Sequence, residues 1–64
     1  MSILPPEVIA EIKQNIANAE ASHKLAMAAI NEAHSAGIDV TDARARADAL
    51  KTQISQLKAV YGKQ

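Results

Sequence analysis

Between Pro6 and Gly62 the chain holds one residue with a strong bias against helix, Gly37. Glycine and proline are the costliest residues in a helix interior, and here they stand only at Pro5, Pro6, Gly37 and Gly62. Alanine is the commonest residue, accompanied mainly by Ile, Leu, Lys, Gln and Glu. Such a chain is predicted to be all-α, with two long helices joined by one short turn and no run suited to a strand. Its 64 residues allow one small domain at most.

The breakers set the boundaries. An N-terminal arm is expected over 1–5, helix over 6–36, a turn at 37–41, helix over 42–61 and a tail at 62–64. Proline suits the first turn of a helix, where its missing N–H would have no intrahelical partner, and Glu7 and Glu11 complement the positive end of the dipole. Gly37 reads as a left-handed residue just past the first helix, with Ile38 folding back on Ala33 in a Schellman-type stop. Asp39 and Thr41 are both candidate N-caps for the second helix, and Asp42 suits its first turn. So short a link between helices this long implies an antiparallel hairpin.

The apolar spacing supports this arrangement. In the second helix Val40, Ala43, Ala47, Leu50, Ile54, Leu57 and Tyr61 recur at alternating steps of three and four, an Ala-rich coiled-coil seam with Val40 at a and Ala43 at d. The first helix carries the same rhythm through Ile9, Ile12, Ile16, Ala19, His23, Ala26, Ile30 and Ala33. A fold about residues 38 to 39 sets Ala19 near Leu57, Ala26 near Leu50 and Ile30 near Ala47, so that large meets small. A slip of about one turn also pairs apolar with apolar, so the sequence leaves the register open.

The stretch HKLAMAAINEAH, residues 23 to 34, poses the question of a site. His23 and His34 are separated by about 16 Å of helix, too far to share one metal ion. Glu20, three residues before His23, makes at most a two-ligand set, and the expectation is no metal and no cofactor. A copy of His23 brought in by oligomer symmetry is the one route to a metal left open. His23 reads instead as a polar seam residue that sets register, and His34 as a last-turn residue suited to the helix C-terminus.

Between the histidines, Leu25, Ala26, Met27, Ala28, Ala29 and Ile30 form six consecutive residues without a polar side chain. Six residues exceed a full turn, so the helix is apolar all round at this level, while a second helix covers only one side. The surplus predicts a protein partner. Its candidate contacts are Ile3, Leu4, Val8, Ser22, Leu25, Met27, Ala28, Ala29 and Ala36.

Charge is balanced overall, seven acids against seven bases, but not along the chain. Residues 1 to 40 carry five acids and two bases, and residues 41 to 64 carry five bases and two acids. Opposite signs on opposed helices orient a hairpin or a pair of hairpins. At e, Arg44, Lys51 and Lys58 recur every seven residues, with Lys58 expected to meet Glu20 and the Lys51 stem to cover Met27.

Catalysis is not expected: the chain has no cysteine, no Gly-rich phosphate loop and too little bulk to enclose a small-molecule substrate. A membrane surface is excluded by the acidic face of the first helix and the lack of bulky aromatic anchors. The start of the sequence lacks a signal-peptide pattern and no apolar run spans a bilayer, which predicts a cytoplasmic protein or one within an intracellularly assembled particle. The expected function is that of a structural or interaction protein, a hairpin completed to a bundle by self-association or by docking in a larger assembly such as a virus or phage particle. The alternative is a small RNA- or DNA-binding regulator using Arg44, Arg46, Lys51 and Lys58 along phosphates. Against it stand the zero net charge and the absence of aromatics to stack on bases.

Overall fold

A computed structural model describes residues 4–62 of the chain. Among these residues there are two α-helices, α1 (Pro6–Ser35) and α2 (Thr41–Tyr61), and no strand. They pack as an antiparallel hairpin. Ile30 near the turn clusters with Val40 and Ala47, while Glu20, farther out on α1, reaches Lys58 near the end of α2.

The chain starts α1 as proline geometry requires. Pro5 is extended (φ −60°, ψ 151°), Pro6 opens the helix, and the Pro5 carbonyl accepts the first bonds from Val8 and Ile9 N–H. At the other end Ala36 is the cap residue and Gly37 follows with φ +86°, the left-handed value that favours glycine. Gly37 N–H donates to the His34 carbonyl at 3.0 Å, and Ile38 N–H to the Ala33 carbonyl at 3.0 Å. That pair of bonds is the Schellman motif. It returns the chain after one short turn and sets the two helices side by side.

The second helix begins one residue earlier than the sequence suggests. Thr41 is inside it, and Val40 holds the cap position with no side-chain cap. Asp39 serves from one step further out: its Oδ1 accepts from Thr41 N–H at 3.0 Å and from the Thr41 hydroxyl at 2.7 Å. These two bonds hold the exposed Asp39 carboxyl below the usual value of 3.8, the backbone bond contributing most. Val40 is thereby placed to turn its side chain into the core, where it is buried. At the far end Gly62 stays right-handed and donates to the Lys58 carbonyl at 2.8 Å.

The core is one residue wide. Ile16, Ile30, Val40, Ala47 and Ile54 are buried, with Met27 and Ala33 packed against the end nearest the turn. None of the described side chains is fully buried. A radius of gyration of 14.9 Å compares with about 11 Å for a compact domain of this length.

The observed seam differs from the expected one by a roll of α2 about its axis. The a positions Val40, Ala47 and Ile54 are buried and Tyr61 half-buried, but the d positions Ala43, Leu50 and Leu57 are exposed. Arg44, at e, is half-buried in their place. On α1 the expected Ile9, Ile12, Ile16, Ala19, His23, Ile30 and Ala33 are buried or half-buried, whereas Ala26 is exposed and Met27 takes its turn in the packing. With α2 rolled, its a row and Arg44 face α1 and its d row turns to the open side of the pair.

Candidate interaction surface

The hairpin has two flanks where α1 and α2 meet, and they differ in chemistry. On the first, Glu20, His23, Lys51, Ile54, Ser55 and Lys58 line a polar recess. Lys58 Nζ lies 3.1 Å from Glu20 Oε2, the pairing the sequence suggests, with both side chains about half exposed. Such a pair contributes about 0.5 kcal/mol or less after solvent screening, and its value is in orientation.

Deeper in the same flank, His23 Nε2 lies 3.0 Å from the Ala47 carbonyl oxygen. A carbonyl only accepts, so Nε2 carries the hydrogen and donates it across the helix pair. This half-buried bond and the Glu20–Lys58 pair specify the register that the apolar pattern leaves open. His34 is exposed in the last turn of α1, and its carbonyl, not its ring, takes part in the turn. Among the described residues no group of three or more His, Cys, Asp or Glu is placed to hold a metal ion.

The second flank is apolar and open. Ala26, Ala29 and Ile30 from α1 and Ala43, Arg46, Ala47 and Leu50 from α2 line a shallow groove of about 420 Å³. Leu50 and Leu57 are exposed by 36% and 39%, and Val60 and Leu25 by 58% and 73%. Leu25 is thus mostly in solvent, as an unpartnered apolar residue would be. Ser22, Ala28, Ala29 and Ala36 are exposed as well, while Met27 and Val8, expected at the partner contact, are half-buried within the hairpin. Met27 belongs to the hairpin's own core because the roll of α2 brings Val40 and Ala47 over it. Leu4 is exposed by 38%, and Ile3 lies outside the described residues.

The basic residues do not form one surface. Lys51 and Lys58 border the polar flank, where Glu20 interrupts them, and Arg44 is half-buried. Arg46 lies in the apolar groove on the other flank. No described helix is long and apolar enough to cross a membrane. No protein-family model, curated protein or solved structure matches the chain.

Proposed function

We propose that this protein is a structural interaction module, a helical hairpin that completes its core by associating with a protein partner. The observation that carries the reading is the contrast between core and surface: among the described residues five side chains are buried and none fully, while Leu25, Ile38 and Val60 are more than half exposed and Leu50 and Leu57 more than a third. A hairpin with so thin a core, no cysteine and no described metal cluster lacks the usual means by which a small domain becomes stable alone. The chemistry of the open flank suits a helix: a shallow, mainly apolar groove with alanines on both walls, Ile30 on one and Leu50 on the other. Assembly subunit describes the role better than enzyme, because the recess and the groove described on the two flanks are both open to solvent.

The nucleic-acid alternative gains no support, since Arg46 is separated from Lys51 and Lys58 by the width of the helix and Lys58 is paired with Glu20. The test is thermal loss of helicity at protein concentrations differing about a hundredfold. A midpoint that rises with concentration is the mass-action mark of self-association. A poorly helical chain at both concentrations points to a host partner. A high midpoint independent of concentration overturns the reading, because the lone hairpin then needs no partner.

A further inference from the structure

We propose that the apolar groove is covered by a second copy of this chain, in a four-helix bundle whose two-fold axis runs parallel to the helices. Each α1 then packs antiparallel on the α2 of the other copy, and both turns lie at the same end. The inference rests on the association reading above and adds the identity, face and orientation of the partner.

The first argument is area. The chain exposes 4977 Å², against about 4,000 Å² for a compact monomer of 6.8 kDa. Two copies that each hide the surplus bury about 2,000 Å² together, the size of a stable specific interface. The second argument is shape. Each wall of the groove carries two alanines and one larger apolar residue: Ala26, Ala29 and Ile30 on α1, and Ala43, Ala47 and Leu50 on α2. The alanines of each wall leave room for the larger side chain of the facing wall when α1 of one copy lies over α2 of its mate.

Charge selects the orientation. Over its helical span α1 has four acids and two bases, and α2 has four bases and two acids. An axis parallel to the helices places acidic α1 against basic α2. An axis perpendicular to them stacks α1 on α1 and sets like charge on like.

One pair of residues makes this concrete. Among the described residues Glu32 and Arg46 have no ion pair or side-chain hydrogen bond. The register that pairs Glu20 with Lys58 also sets Glu32 level with Arg46, twelve residues up α1 and twelve back along α2. Twelve residues also turn each helix by about 120° past whole turns, which carries Arg46 into the apolar groove and Glu32 to the outer side of Ala29. A two-fold axis parallel to the helices preserves the level, so Glu32 of each copy meets Arg46 of the other.

Sedimentation equilibrium on the full chain tests this with charge-swap variants. Wild type is expected at twice 6.8 kDa. Arg46→Glu or Glu32→Arg alone should raise the dimer Kd about tenfold, because a two-fold dimer contains the pair twice, and the double swap should restore it to within about threefold. Ala29→Glu, at an exposed position in the groove, should remove the dimer. A dimer indifferent to Ala29→Glu, a double swap no better than either single one, or a larger oligomer overturns the second-copy assignment and leaves the association reading standing. A poorly helical monomer does the same. A stable helical monomer at all concentrations overturns both.

Discussion

His23 is the most informative single residue because it is polar where the rhythm of the sequence demands an apolar side chain. Its bond to the Ala47 carbonyl adds little net stability, since that carbonyl already accepts the helical bond from four residues on. His23→Leu should therefore change the unfolding free energy by less than about 1 kcal/mol, while His23→Ala, which loses packing as well, should cost about 1–2 kcal/mol. Urea titration of the two variants distinguishes these outcomes. If His23→Leu is strongly destabilising, the histidine has a larger role than register. Ile54 gives the contrasting case: it is 6% exposed, and Ile54→Ala should cost about 2–4 kcal/mol. Leu25→Ala, at a side chain 73% exposed, should leave the helicity of the dilute chain unchanged.

At the scale of the elements, the turn determines how the helices meet. Gly37 has φ +86°, and a Cβ placed on it would meet nothing within 4 Å. The cost of Gly37→Ala is thus a backbone cost alone, about 1–2 kcal/mol, and should appear as a lower urea midpoint with an unchanged slope. Asp39 acts on the other side of the turn. Its carboxyl is held below 3.8 by the Thr41 bonds, so its contribution is present above that value and is lost as pH falls through the lower folded pKa. Acid titration should show α2 losing helicity in that window, and Asp39→Asn, which keeps an acceptor, should flatten this component.

These turn features were legible in the sequence because they are local: Gly37, Ile38 and Ala33 need only each other to form a Schellman stop. The Glu20–Lys58 pair was legible too, as the charge pairing of one of the registers that the heptad spacing allows. Two features escaped. Thr41 as a first helical residue, with Asp39 reaching over Val40, depends on which of two good caps rotates toward the other. The roll that exposes Leu50 and Leu57 and half-buries Met27 is an angle about the helix axis, and a heptad pattern states a period but not which edge of the apolar stripe faces the neighbour.

For the whole molecule, the proposed dimer is one in which opposite charge on the two helices guides association and apolar area drives it. Raising salt from about 0.05 to 0.5 M should weaken the dimer by less than about tenfold, since pairs at exposed positions are screened while apolar contacts are not. A larger loss in sedimentation runs would assign the driving force to charge. The position of the cluster formed by Ile30, Val40 and Ala47 has a kinetic consequence. It sits beside the turn, between residues close in sequence, so its contacts close small loops and form early. Folding then proceeds as a zipper from the turn outward, and unfolding begins at the opposite end, where Pro6 and Tyr61 lie. Amide exchange should run slowest around Ala33 and Ala47 and fastest in the first turns of α1 and the last turn of α2. The hairpin is thus a hinged clip: rigid at its bend, and quickest to open where its two tips meet.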